Sequence, residues 1–322
     1  MSKNHLVDHI QFKQLHHDNT LHVIGVLFNP MRYHSRLRLF REWYAEMLAT
    51  PNVKVYVVEL AFGDRCHEVA EATNPQHLLL RTDQEIWHKE SLINLAVRYL
   101  LPSNWKYMCW SDTDVFWLDK HWAQEAIHQL QHFPVIQPWR DCIDMGFLGT
   151  VMQHFQSFCF VHRTGVRKQR HPSEPYKYAH TGFAWCVRRD FWERIEKLMD
   201  FPILGSADHH MAWGMIGDVA SSVHGDMHDE FKRMAKEWER RAFAACGGQL
   251  GFVPTTIGHR FHGPKSKRRY RERWGIFKKH DFNPATDISY DEQGLVRLVG
   301  KPELKADCRE YLGGRHEDEI GE

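Results

Sequence analysis

Asp112 and Asp114 form the only Asp-x-Asp triplet in the chain, and they follow directly on the apolar run 106–110 and Ser111. Residues two apart on an extended strand face the same way, so two hard carboxylate oxygens in one place would suit Mg2+ or Mn2+. Such a cation bridges a diphosphate and neutralises the charge that builds as a phosphate leaves. The competing reading is an Asx turn that caps the next helix. A second constellation holds His259 and His262 on either side of Arg260-Phe261, with Gly263, Lys265, Lys267 and Arg268 behind them. An imidazole there would complete a cation site, and the basic side chains would take a phosphate pair, Lys as a point charge and Arg bidentately. Taken singly, each histidine reads equally well as a packed core ring. In the third, Gly205 and Ser206 open a turn and Asp208 stands at a predicted helix start beside His209 and His210. Asp208 is then either a helix cap or a general base for an acceptor hydroxyl.

Other polar residues fit a nucleotide site more loosely. Phe28 and Asn29 close the first predicted strand, Glu59 ends the second, and Arg65 follows Gly63-Asp64. Lys89, Glu90 and Asn94 share a predicted helix, with Glu90 and Asn94 four apart on one face. Each suits contact with a base, ribose or phosphate, and each suits a surface or capping role.

The elements that must hold these residues alternate as in an α/β sheet. The run 21–28 is apolar and stopped by Asn29-Pro30; Leu37, Phe40, Tyr44 and Met47 then recur at helical spacing over 36–48, before a β-branched run at 53–60. Parallel strands need a crossover of this kind. The pattern continues with a strand at 77–80, a helix over 84–100 capped by Asp83, a strand at 106–110, a helix over 122–132 and a strand at 135–139. Further on it predicts a strand at 181–187, a helix from Asp190 to about 199, a short helix to about 216, a long one over 228–245 and a strand at 249–253. Between 141 and 178 the periodicity breaks, which reads as a long irregular segment over a site.

Composition bounds the function classes. The chain has 322 residues, 42 Lys+Arg against 41 Asp+Glu, and a net charge of +1, which excludes a uniformly basic nucleic-acid coat and an acidic disordered protein. Hydrophobic residues at 43% are enough for a large core. Charge is uneven, however: residues 259–280 hold nine Lys/Arg and one acid, Glu272. Seven cysteines with no Cys-x-x-Cys pair argue for reduced, buried thiols rather than a disulfide framework or zinc ribbon. Trp139, Trp185 and Trp213 are candidates for stacking on a base or sugar, or for the core. With no apolar run of about 18 residues and a polar N-terminal stretch, the expected location is the cytoplasm, away from any membrane.

The strand ending in Asn-Pro, the strand ending in Trp110-Ser111-Asp112-Thr113-Asp114, the Gly182-Phe183-Ala184-Trp185 strand, the Gly205-Ser206-Ala207-Asp208 segment and the His259-x-x-His262-Gly263-x-Lys265 run, in that order, resemble GT-A-fold glycosyltransferases. That resemblance implies a GT-A-like, Rossmann-type mixed sheet flanked by helices, with helical C-terminal additions. It implies Mn2+ or Mg2+ on Asp112 and Asp114 with His262 completing the site, a nucleotide-sugar donor that is UDP-linked, Asp112 and Lys265 on the donor diphosphate, and Asp208 as catalytic base. Phe28, Asn29, Glu59, Arg65, Lys89 and Asn94 become candidate donor contacts. The division expected is a tail at 1–20, a catalytic unit at 21–280 with donor half 21–140 and acceptor half 141–280, and an acidic extension at 281–322.

Residues 21–287 are also similar to phage-encoded glycosyltransferases, through 23–30, 62–65, 87–90, 203–206, Arg273-Trp274 and Asn283-Pro284. This implies an acceptor hydroxyl on a hypermodified base of phage DNA, such as 5-hydroxymethylcytosine or 5-hydroxymethyluracil, in the host cytoplasm, with the basic segment 259–280 as the DNA contact. Two other classes stay open on the residues alone. One is a metal-dependent phosphoester hydrolase built on His209, His210, His259 and His262 with Asp208. The other is a non-catalytic nucleic-acid-binding module built on the basic segment.

Overall fold

The computed structural model describes residues 19–165, 179–269 and 272–320. Most of the expected tail, part of the expected irregular segment (166–178) and Arg271 lie outside the described residues. The chain runs through β1 (Leu21–Phe28), α1 (His34–Ala49), β2 (Val53–Phe62), β3 (His77–Thr82), α2 (Lys89–Tyr99), β4 (Tyr107–Ser111), β5 (Val115–Trp117), α3 (Trp122–His132) and β6 (Val135–Gln137). There follow β7 (Asp141–Met145), β8 (Val151–Gln156), α4 (Phe158–Thr164), β9 (Ala184–Arg188), α5 (Arg189–Ile195), α6 (Ala207–Met215) and α7 (Asp229–Cys246). The last are β10 (Leu250–Phe252), β11 (Thr256–His259), α8 (Glu272–Lys279), β12 (Ile288–Tyr290), β13 (Val296–Leu298) and α9 (Pro302–Gly313).

The fold is α/β, with a mixed seven-stranded sheet in the order β10-β6-β9-β4-β1-β2-β3. Strands β4, β1, β2 and β3 are parallel, and β9 runs antiparallel between β4 and β6. Strand β1 is buried nearly throughout, as a strand covered on both faces must be. Its side chains alternate between two cores: Leu21, Val23 and Leu27 pack with Phe40, Trp43 and Met47 of α1, while Ile24 and Phe28 pack with Leu92 and Ile93 of α2. Residues 281–320 join the second of these cores through Leu295, Val296, Leu304, Tyr311 and Leu312. The C-terminal additions thus comprise the β12-β13 hairpin as well as the helix α9.

A second sheet is ordered β5-β11-β7-β8, and two of its strands, β7 and β8, lie where the sequence predicted irregular chain. Strands β7 and β8 are a hairpin, and β7 alternates Cys142 and Asp144 inward. The short alternating runs are interrupted by Gly146 and Gly149, which close the turn and mask the period. Helix α2 begins at Lys89, not near Gln84, because Trp87 donates its N–H to Ile203 O at 2.9 Å and holds the preceding residues outside helical geometry. Asp83, expected as its cap, instead accepts from the Gln84 amide. Trp139 and Trp185 are buried in the core and Trp213 packs on Phe158, so the expected stacking surfaces are structural. All seven cysteines are free and all but Cys66 are buried.

Candidate metal centre and its cavity

The site forms where the two sheets meet. Strand β4 ends at Ser111, and a turn carries Asp112 to Asp114 into β5. Strand β11 pairs antiparallel with β5, placing His259 opposite Val115, and parallel with β7, placing His259 opposite Asp144. Arg260 N also donates to Asp114 O at 2.8 Å. Three segments distant in sequence are therefore locked in register by backbone pairing, and their polar side chains converge.

Asp114, His259 and His262 gather at that point, each offering a ligand atom within 4.8 Å of the others, the one such group among the described residues. His262 Nε2 lies 2.9 Å from Asp114 Oδ2, His259 Nε2 lies 3.7 Å from Asp114 Oδ1, and the two Nε2 atoms are 3.3 Å apart. Asp144, which is buried, takes His259 Nδ1 at 2.7 Å. A carboxylate only accepts, so Nδ1 carries the proton and Nε2 presents its lone pair. Two imidazole nitrogens so close need a proton or a cation between them. Asp114 Oδ1 is buried and has no hydrogen-bond partner, which a cation would supply. The facing imidazoles outweigh burial and hold the Asp114 carboxyl well below the usual range. Donor chemistry, the orphan oxygen and the carboxylate behind His259 all fit a divalent metal.

Asp112 stands apart from this group. The turn breaks the strict extension assumed from the sequence, and its carboxylate is taken by Lys89 from the first turn of α2. Burial raises the Asp112 pKa against the pull of Lys89, and its carboxylate in turn helps keep the buried Lys89 ammonium charged. The structure thus brings Asp114 together with His262 and His259 and leaves Asp112 outside the group.

The group opens on a cavity of about 1460 Å³. Phe28, Lys89, Asp112, Asp114, Asp208, His262 and Lys265 all line it. Lys265 bonds Asp144 and Gln153. Asp208 sits in the first turn of α6, after Ser206 at φ 77°, and accepts the N–H of His209 at 2.9 Å. Its floor is Gly182: a Cβ there would fall 2.8 Å from Asp208 Oδ2 and 3.0 Å from His180. Beside it Glu90 is buried, accepts from Trp87 Nε1 at 3.1 Å, and is pushed up to about 7 by burial, with Lys89 opposing. Burial also lowers His180 to about 4, so that ring is neutral near pH 7.

Four expected donor contacts are absent from the cavity lining, and their polar groups close local structure. Asn29 bonds both backbone groups of Tyr33, and Arg65 donates to Asn29 O and Pro30 O. Glu59 accepts three backbone N–H groups, from Glu68, Val69 and Ala70. Asn94 ties α2 to Leu198. The four-histidine centre is not assembled either, because His210 is buried against Phe231 and Trp274 with Nδ1 on Ser222 Oγ.

The basic segment is mostly neutralised by partners: Arg260 by Glu42 and Glu46, Arg269 by Glu272, Lys278 by Asp226 and Lys279 by Asp307. Lys265 is on Asp144, and Arg268 is buried. Sequence reasoning missed Asp144 and Glu317, the carboxylates behind the two histidines. Asp144 had a signal, an acid at an inward position of an alternating strand; Glu317 had none.

No protein-family model matches the sequence, and no curated protein matches it. Solved structures do. The chain is similar to the catalytic domain of Drosophila β1,4-galactosyltransferase 7 in complex with xylobiose, at 14% identity over 90% of this chain and 98% of that one, TM-score 0.38. A mutant of that enzyme with manganese, UDP-Gal and xylobiose gives 13% identity over the same shares, TM-score 0.41. A protein of Desulfovibrio desulfuricans assigned to the nucleotide-diphospho-sugar transferases gives 11% over 75% and 81%, TM-score 0.33. Among the described residues no helix is long and apolar enough to cross a membrane.

Proposed function

We propose that the protein is a metal-dependent glycosyltransferase of GT-A type, moving a sugar from a nucleotide-sugar donor, UDP-linked, to an acceptor hydroxyl. The observation that carries this reading is the Asp114/His259/His262 group, with its orphan buried oxygen, on the rim of a cavity that also holds Asp208. Asp114, His259 and His262 would hold the cation, and two imidazoles beside one carboxylate suit Mn2+ better than Mg2+. When bound, the ion supplies Lewis-acid neutralisation of the leaving nucleoside diphosphate.

The chain's own residues divide the remaining work. Asp208 accepts the proton of the acceptor hydroxyl as its oxygen bonds to the anomeric carbon and the bond from that carbon to the diphosphate breaks. Gly182 leaves room for Asp208 and the incoming hydroxyl. Lys89 holds Asp112 at the mouth of the triad, and Phe28 with Trp87 forms an aromatic wall for the donor. The wall comes from residues 21–140 and Asp208 from 141–280, although His259, His262 and Lys265, which would serve the donor diphosphate, also come from 141–280. A hydroxymethylated base in phage DNA is the narrower acceptor implied by resemblance; the paired state of the basic segment gives it no support.

A thermal-shift panel of nucleotide sugars with and without Mn2+ tests the reading. A shift that needs both a UDP-sugar and Mn2+ is expected. Equal shifts with and without metal, or none with any donor, would overturn it.

A further inference from the structure

Resting on the assignment of Asp114, His259 and His262 as a cation site, we infer that segment 315–318 is a working part of that site, with Glu317 as a positioning residue that sets His262 and couples it to the donor wall. The segment comes from far along the chain and lies across the start of α1, where Asp318 accepts the N–H groups of His34 and Ser35 at 2.8 and 2.7 Å. That fixes its end without Glu317. The Glu317 side chain is free for another task, and it is fully buried.

Its carboxylate receives Arg36 Nε at 2.5 Å and Nη2 at 2.7 Å, and Arg315 Nε at 2.6 Å. Its Oε2 also faces His262 Nδ1 at 3.7 Å. In this structure Nε2 donates to Asp114 Oδ2 at 2.9 Å; once Nε2 gives its lone pair to a cation the proton must sit on Nδ1, where the facing Glu317 carboxylate favours it across a gap that Asp144 closes for His259. The approach depends on Gly263, at φ +86°: a Cβ there would strike His316 O at 2.7 Å and Glu317 Cα at 2.8 Å. The loop behind His262 is thus shaped to receive this segment. Arg36 and Arg315 also line the cavity, over the rings of Phe28 and Trp87. One carboxylate therefore orients a metal histidine and balances two cations of the donor wall.

The test is Mn2+ binding without nucleotide, read by the EPR signal of the free ion, on the full chain and on Glu317→Gln, His262→Gln and the double variant. Glu317→Gln is expected to weaken Mn2+ by about 10- to 100-fold. The same change in the His262→Gln background is expected to add less than about twofold, which a general loss of stability would not produce. Should Glu317→Gln fail to fold, Glu317→Asp carries the test, with at least about a threefold loss expected. Unchanged affinity in the single variant, or an equal loss in both backgrounds, overturns the inference. Wild-type protein that binds no Mn2+ overturns the cation site itself, and the inference with it.

Discussion

Glu59, inside β2, and Asp114, in the turn between β4 and β5, both place a carboxylate oxygen out of reach of water. At the Glu59 corner three backbone N–H groups saturate the carboxylate at 2.6 to 2.9 Å. At the Asp114 corner one oxygen has no donor at all, and the groups that face it are imidazole nitrogens. The first arrangement is complete in itself. The second leaves an unsatisfied buried carboxylate oxygen, which costs about 1–3 kcal/mol or more and which a cation would relieve. Saturation by the chain's own backbone is what separates the two acids.

That contrast can be broken most directly at Asp114. Asp114→Asn is expected to abolish both Mn2+ binding and transfer while the thermal midpoint without metal stays level or rises. Normal Mn2+ affinity would make Asp114 a second Glu59. If Asp208 is the base, Asp208→Asn should lower kcat by about 10²- to 10⁴-fold and leave Mn2+ affinity unchanged, because its carboxylate is not among the triad's ligand atoms. A joint loss of binding would erase the division between the two carboxylates.

Glu59→Gln should do the reverse of Asp114→Asn. It removes an acceptor from N–H groups that then have no partner, costing about 1–3 kcal/mol of stability in urea unfolding, with kcat/KM intact well below the melting point. A smaller effect belongs to Glu90, a third buried acid whose proton is held to about pH 7. Its pKa is higher folded than unfolded, so the folded state loses stability as pH rises from about 4.5 toward 7. Glu90→Gln should remove that loss, giving a variant whose advantage over wild type grows across this window by on the order of 2 kcal/mol. A pH-independent difference in melting would show that folding leaves the Glu90 pKa unshifted.

How much of this was legible depends on the range of the interactions involved. Strand β1 and helix α3 carry their periodicity locally, and their bounds match those expected. The triplet at 112–114 and the histidines at 259 and 262 were also visible. What was not visible is which acid they would meet, because that follows from β11 slotting between β5 and β7, a pairing among residues more than 100 apart. Asn29, Glu59 and Asn94 misled for the same reason in reverse: a polar residue at a predicted strand end or on a helix face reads as a ligand until its backbone partners are known. The start of α2 was displaced by a contact to Ile203, again beyond any local window.

The meeting of Arg36 with Glu317 has a consequence for biosynthesis. Chains are made from the N-terminus at about 5–20 residues per second, and their early parts begin to fold as they emerge. Helix α1 is complete within the first 50 residues, yet Arg36 meets its counter-charge only after 281 more positions have been translated. Until Glu317 has left the ribosome, the nascent sheet carries an Arg36 without its counter-charge and a His262 without the carboxylate behind it. A nascent chain that has built the sheet but not yet extruded segment 315–318 would then hold its two histidines in place with only one of them backed by a carboxylate.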